Sequence, residues 1–105
     1  MEAVWRGWVG STGDEDLAIG MNAVSLTIPS GFNTGNGRAV VTIRRAPVLF
    51  TLSKTAPQYE NSGTGSPLAV GATLIVYGSE ILNLRLVRAG VKNASVHVRY
   101  ELRVA

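Results

Sequence analysis

The sequence predicts an all-β protein: a single antiparallel β-sandwich, of jelly-roll or immunoglobulin-like type, with an N-terminal arm. Three observations predict this class. Apolar and polar residues alternate with a period of two in most segments, as expected for strands with one dry and one wet face. The strand-like runs are short and are separated by turns rich in Gly, Pro and Asn. No window of a dozen residues shows the spacing of an amphipathic helix.

The length and composition fit one folded domain. With 105 residues the chain has room for one hydrophobic core, and 46% hydrophobic against 16% charged residues is typical of a globular protein. Because the chain has no cysteine, neither a disulfide framework nor a thiolate metal site is possible. The fold must therefore be stabilised by the packing of apolar side chains.

The first half of the domain is expected to contain three strands. The first covers residues 22–28, and a tight turn at Asn36-Gly37 precedes the second. Pro47 lacks a backbone donor, so the second strand should end near Arg45 and the third should begin directly after the proline. The inward faces of these strands are expected to carry Val24, Leu26, Ile28, Ala39, Val41, Ile43, Val48, Phe50 and Leu52.

The second half is expected to contain a long loop and three more strands. The loop covers residues 54–67, and the strands cover 71–78, 80–88 and 94–104. Six short strands favour a sandwich, and a small closed barrel is the competing architecture. The inward residues include Leu74, Leu84, Leu86, Val96, Val98 and Tyr100, and Leu82 would share one strand face with Leu84 and Leu86. The wet face of the last strand should carry Ser95, His97, Arg99, Glu101 and Arg103.

The charge distribution divides the chain into an N-terminal arm with an acidic loop, residues 1–19, and a β-sandwich domain, residues 20–105. The first segment has a net charge of −3 and the second of +6. Trp5 and Trp8 would face opposite sides of any strand, so one domain cannot easily bury both. We therefore expect residues 1–12 to leave the domain and pack on another subunit. The alternatives are a solvated tail, or two tryptophans folded back over a sandwich edge.

No group of residues offers the chemistry of an active site. The single histidine, His97, falls on the wet face of the last strand, and Glu101 lies about 13 Å away by strand rise. A catalytic base needs a nearby nucleophile and an orienting carboxylate. The acidic run at 13–20 lacks the spacing of an EF-hand loop, and the glycines at 31–38 lack the ending of a phosphate-binding loop. We expect no catalysis, no metal site and no cofactor.

The sequence also predicts no membrane association. The longest mostly apolar stretch, residues 68–78, is too short to span a bilayer and contains two glycines. Residues 1–10 lack the apolar region of a signal peptide, so we expect synthesis and folding in the cytosol.

Arginines on the wet faces of the strands indicate a docking surface. Sheets that bind nucleic acid interleave arginine with exposed aromatic residues, whereas Phe50 and Tyr100 alternate inward. This argues against nucleic acid and favours an acidic protein surface as the partner. Residues that could share the outer surface of a sheet are Arg44, Arg85, Arg88, Arg99 and Arg103. The interface hypothesis names Trp5, Arg6, Trp8, Arg44, Arg85, Arg99 and Arg103.

Three segments follow one another in a recognisable order. They are LTIPSG at 26–31, VLFTLSKTAP at 48–57, and SPLAVGATLIVYGSEILNLRLVRAGVKNASVHVRY at 66–100. With these segments in this order, the stretch from 21 to 100 resembles small β-sandwich virion proteins of tailed bacteriophages. The residues that carry most of the likeness are Gly71, Leu74, Leu82, Asn83, Leu84, Arg85 and Tyr100.

The resemblance implies a non-enzymatic structural protein of a phage virion. Capsid decoration, in which a cement protein stabilises the shell through inter-subunit contacts, is the first interpretation. It implies manufacture in the host cytoplasm, a location in the virion, a homo-oligomer in the particle, and the major capsid protein or other virion proteins as partners. The alternatives are a collar or tail accessory protein, or a carbohydrate- or receptor-binding β-sandwich module that uses the two tryptophans.

Overall fold

Strands make up most of the regular structure, and they form two antiparallel sheets that pack as a sandwich, as predicted. The computed structural model describes residues 7–10, 14–57 and 65–104. A short 3₁₀ turn covers Thr34–Asn36 and one turn of helix, α1, covers Glu80–Asn83. The strands are β1 (Gly7–Gly10), β2 (Glu15–Ile19), β3 (Gly37–Arg44), β4 (Val48–Thr51), β5 (Ser66–Leu68), β6 (Thr73–Tyr77), β7 (Arg85–Arg88) and β8 (Ala94–Val104).

The last strand, β8, is the centre of the larger sheet. On one side it pairs with β3, from Gly37 opposite Leu102 to Arg44 opposite Ser95, and β6 follows on the far side of β3. On its other side β8 pairs first with β1 and then with β2. A strand flanked on both sides can bury its apolar face completely, which explains the long alternation in the sequence.

The smaller sheet has the order β5-β4-β7, and an isolated bridge between Val24 and Leu86 adds to the free side of β7. The break at Pro47 lies where the sequence predicts it, because β3 ends at Arg44 and β4 begins at Val48. The inner faces of the two sheets together enclose one core.

The predicted core is confirmed at most positions. Burial of each large apolar side chain contributes roughly 1.5–3 kcal/mol. Five predicted residues are half-buried and pack against the core, and they are Val24, Ile28, Phe50, Leu52 and Leu74. The predicted residues that are buried are Leu26, Ala39, Val41, Ile43, Val48, Leu84, Leu86, Val96, Val98 and Tyr100.

The prediction of a continuous strand over 22–28 is wrong. Only Val24 makes a ladder contact there, and Ile28 has a φ of 59°, which ends the extended conformation. The amide of Ile28 donates instead to the Tyr100 hydroxyl, at 3.1 Å. A hydrogen bond from the backbone to a side chain thus replaces the strand ladder at this point.

The prediction of a strand beginning at residue 80 is also wrong. Gly78, with a φ of 55°, turns the chain into α1, and the amide of Leu84 donates to the carbonyl of Glu80. Helical spacing therefore buries Ile81 together with Leu84, while Leu82 is 48% exposed. The strand starts only afterwards, with β7.

The N-terminal segment lies on the chain's own sheet. Residues 7–10 pair with β8, so the prediction that residues 1–12 leave the domain is wrong for this part. Part of the predicted acidic loop, residues 15–19, is also a strand of the sheet. Trp5 and Arg6 lie outside the described residues.

Candidate functional site

The outward side of the larger sheet carries arginine and aromatic side chains close together at one end. Directly paired residues of neighbouring strands point to the same side of a sheet. The pairs Trp8–Arg103, Arg38–Glu101 and Arg38–Tyr77 therefore bring four strands to one surface. We call this surface the outer-face cluster, and its members are Trp8, Arg38, Tyr77, Arg99, Glu101 and Arg103.

Glu101 lies at the centre of the cluster and is bonded through both carboxylate oxygens. The Nε of Arg38 donates to Oε1 at 2.6 Å, and the Nε of Arg99 donates to Oε2 at 3.0 Å. The alternation of β8 predicts an exposed residue here, yet Glu101 is only 9% accessible because the two arginines cover it. The carboxylate orients both guanidinium groups, and charge-assisted bonds of this kind are strong.

The ring of Trp8 lies close to the guanidinium groups of Arg38 and Arg103. The guanidinium carbon of Arg38 is 4.3 Å from the centre of the Trp8 ring, and that of Arg103 is 5.3 Å away. These distances lie within the range of cation–π attraction. The Tyr77 ring is 5.8 Å from the Trp8 ring, tilted by 54°. Tyr77 remains 44% exposed, so the cluster presents an accessible aromatic surface beside its positive charge.

Gly10 leaves room for the side chain of Arg99. Gly10 pairs with Glu101, and a Cβ at this position would lie 2.7 Å from Nη2 of Arg99. The absence of a side chain on β1 therefore allows Arg99 to lie across the strand. The Arg99 side chain is 52% exposed, although its Nε is held by Glu101.

The other end of the same face carries the single histidine. Nδ1 of His97 lies 3.0 Å from Oδ1 of Asp16, and Nε2 lies 3.5 Å from Oδ2 of Asp14. His97 is thus half-buried between two carboxylates rather than simply exposed to solvent. Within residues 7–10, 14–57 and 65–104, no group of three or more His, Cys, Asp or Glu residues could hold a metal ion.

The structure brings together only some of the residues in the interface hypothesis. Trp8, Arg99 and Arg103 belong to the outer-face cluster. Arg44 lies on the same face at the opposite end, paired with Ser95. Arg85 does not share this surface because it lies on β7 of the smaller sheet. Its Nη1 donates to the carbonyls of residues 82 and 84. Arg88 also lies on β7 and so is not on this face.

Arg38 and Tyr77 are functional candidates that the sequence reasoning missed. Arg38 precedes Val40, Thr42 and Arg44 in the same alternation, so the pattern of β3 could have placed it outward. The parity of Tyr77 could not be assigned from the sequence, because the strand ends at a glycine turn one residue later.

A second polar contact joins the inner edge of the sheet to the loop before β3. The Tyr100 hydroxyl donates to Oε1 of Glu15 at 2.6 Å and accepts from the amide of Ile28. The same carboxylate oxygen accepts from the amide of Thr27 at 3.1 Å. Burial, and then the hydrogen bond with Glu15, raise the pKa of Tyr100. These bonds hold β2 and residues 27–28 on β8.

Comparisons of the chain with protein-family models, with curated proteins and with solved structures gave no match. No helix in the described part of the chain is long and apolar enough to cross a membrane. The arrangement of the outer-face cluster is suited to binding: it offers fixed positive charge and aromatic area, without a nucleophile next to a base.

Proposed function

We propose that the protein is a non-enzymatic structural protein of a tailed bacteriophage virion, and that it acts as a capsid decoration protein. The resemblance of residues 21–100 to small β-sandwich virion proteins supports this proposal. In this role the protein binds the assembled shell and stabilises it through contacts between subunits. The partner is the major capsid protein or another protein of the particle.

The outer-face cluster is the observation that carries the proposal. Tryptophan, tyrosine and arginine are the residue types that most often dominate the binding energy of protein interfaces. Here one glutamate and the Trp8 ring hold Arg38 and Arg99 in place before any partner arrives. Groups fixed in advance lose less conformational freedom on binding, so more of the contact energy appears as affinity.

The charge of the cluster indicates an acidic partner. Two arginines, Arg38 and Arg99, share the single carboxylate of Glu101, which leaves an excess of positive charge at this position. Within the described residues, Arg38 and Arg99 donate hydrogen bonds only through Nε. Their terminal nitrogens can therefore bind carboxylates of a partner in the paired geometry that arginine favours.

The location of the protein is tested by purifying particles of the phage that encodes it. The proposal expects the protein in gradient-purified particles by mass spectrometry, and immunogold label over the heads. Label at the neck or tail would instead identify a collar or tail accessory protein. Absence of the protein from particles in which other virion proteins are detected would contradict the proposal.

The docking surface is tested by adding purified protein to particles that lack it. Arg103→Glu reverses a charge in the cluster, and Lys92→Glu makes the same change on an exposed loop residue. We expect Arg103→Glu to reduce the bound amount about tenfold or more, since a like charge opposite an acidic partner costs several kcal/mol. Lys92→Glu should bind like the wild type. Equal binding of both variants would show that another surface docks.

Single-stranded nucleic acid is a second candidate partner, favoured by one observation. Tyr77 is exposed beside Arg38 and Trp8, which is the combination of aromatic and arginine side chains on which bases stack. Titration of tryptophan fluorescence with a short oligonucleotide at two salt concentrations tests it. Quenching that weakens steeply with salt would favour nucleic acid over an acidic protein surface.

A further inference from the structure

Strand β6 is the last strand on one side of the larger sheet. Hydrogen bonds at the two ends of its pairing, from Gly78 to Gly37 and from Ile43 to Ala72, fix which backbone groups face β3. The backbone groups of Thr73, Ile75 and Tyr77 therefore point away from β3. In the described part of the chain no strand pairs with that side.

This edge lacks the features that usually prevent strand addition. The sequence of β6 is TLIVY, without charge, proline or glycine, and Ile75 is 39% exposed. The opposite edge carries Glu15 and Asp16 in β2, and β5 of the smaller sheet has three residues and includes Pro67. Charges, prolines and short length are the ordinary protections of sheet edges. Only β6, among the described edge strands, offers five residues without any of them.

We propose that β6 pairs antiparallel with β6 of a second copy, centred on Ile75, so that the two larger sheets become one continuous sheet. The outward backbone groups at 73, 75 and 77 are symmetric about Ile75, as an isologous two-fold contact requires. Ile75 then lies opposite Ile75 of the second copy, and Thr73 lies opposite Tyr77. Both pairs are favourable across antiparallel strands.

The hydrogen bonds of this contact are compatible with the fold. The two Ile75 residues exchange a pair of bonds, and each Thr73 amide donates to the Tyr77 carbonyl of the other copy. The amide of Tyr77 donates to Oε1 of Glu80 at 3.2 Å, and the Glu80 side chain turns away when the Thr73 carbonyl of the second copy accepts from this amide instead. One contact therefore satisfies two edges at once, which a single strand from another protein could not do.

The charges also permit self-pairing. Arg38 lies beside Tyr77 in the register, and the next row in the second copy holds Thr73 and Thr42, both uncharged. The two outer-face clusters therefore lie at diagonally opposite corners of the joined sheet, and no arginine faces another. This inference does not depend on the virion role, although a two-fold contact would suit a protein that tiles a shell.

The register can be tested by cross-linking because the chain has no cysteine. Ile75→Cys places two thiols opposite each other, whereas the sulfurs of Thr73→Cys would lie about 14 Å apart by strand rise. Disulfides need Cα atoms within about 7 Å, so under mild oxidation Ile75→Cys should yield about tenfold more dimer than Thr73→Cys. A mixture of Thr73→Cys and Tyr77→Cys should cross-link the two variants to each other. Equal yields for both single variants, or none, would overturn the proposal.

Sedimentation gives an independent test. Ile75→Pro removes only an amide that points away from β3, so it should preserve the fold and abolish a concentration-dependent dimer seen for the wild type. Ile75→Lys, which places like charges opposite each other, should do the same if the proline variant fails to fold. Val91→Lys changes a residue that is 77% exposed and should leave the dimer intact. A wild-type protein that stays monomeric at high concentration, or variants that dimerise as it does, would show that β6 does not pair.

Discussion

The hydroxyl of Tyr100 donates a 2.6 Å hydrogen bond to Glu15, a residue 85 positions earlier in the chain. It also accepts from the amide of Ile28, so one side chain of the last strand holds two segments from the first third of the protein. Tyr100 itself is fully buried and its ring contacts Phe32 edge-on, with centres 5.3 Å apart. These two bonds thereby hold β2 and the segment around Ile28 against the core.

Tyr100→Phe should destabilise the protein without unfolding it. The substitution keeps the ring but leaves the Ile28 amide and one Glu15 oxygen without this partner, a loss of about 1–3 kcal/mol. The free energy of unfolding in urea measures the effect. Tyr77→Phe, which removes the hydroxyl of a residue that is 44% exposed, is the matched control and should change stability little. Equal effects of the two changes would show that the buried bonds contribute nothing.

Stability should decrease in alkaline solution because of the same residue. Burial, and then the bond to Glu15, raise the pKa of Tyr100 above its ordinary value of 10.0, so the folded state holds the phenol proton more tightly than the unfolded chain. This contribution is complete below the ordinary pKa and is lost as the pH rises above it. Urea unfolding between about pH 8 and about pH 11 should show the loss in the wild type and a shallower decline in Tyr100→Phe. If the stability of the wild type and of Tyr100→Phe declined in parallel with pH, the loss would not come from Tyr100.

Gly10→Ala should weaken docking while leaving the stability of the protein nearly unchanged. The new Cβ would approach Nη2 of Arg99 to 2.7 Å, and the flexible end of the arginine can move away. We therefore expect a stability change below about 1 kcal/mol but weaker binding to particles, because Arg99 loses its preset position. Gly90→Ala, where a Cβ meets nothing within 4 Å, is the control. If Gly10→Ala binds particles as well as the wild type does, Arg99 does not contribute to docking.

Val98→Asp should prevent folding. Val98 is fully buried in the middle of β8, between Val41 on β3 and Glu15 on β2. A carboxylate there would be buried without a cation, at a cost of several kcal/mol, against a total stability of about 5–15 kcal/mol for an ordinary domain. Far-UV circular dichroism should show an unfolded chain. Val91→Asp, at a residue that is 77% exposed, should keep the wild-type spectrum.

The sequence predicts well the elements whose pattern is long. The alternation over 94–104 identifies β8, and the change of pattern at Pro47 separates β3 from β4. It fails at α1, since Leu82, Leu84 and Leu86 have strand spacing while Ile81 and Leu84 have helical spacing. Four residues are too few for a helical period to show. The turn at Gly78 makes this segment begin as a helix and not as a strand.

The outer-face cluster could be predicted only in part. Trp8, Arg99 and Arg103 follow from outward positions and residue type. The contact of Trp8 with Arg38 depends on β1 and β3 lying on opposite sides of β8, and no single segment contains this information. The burial of Glu101 has the same origin, because one of its two arginines comes from another strand.

Cryo-electron microscopy of purified particles tests the central claim most directly. We expect density for the β-sandwich on the capsid, with Trp8, Tyr77 and Arg99 turned toward an acidic surface of the shell protein. Density with this face turned to solvent, or particles without the protein at any position, would contradict the account.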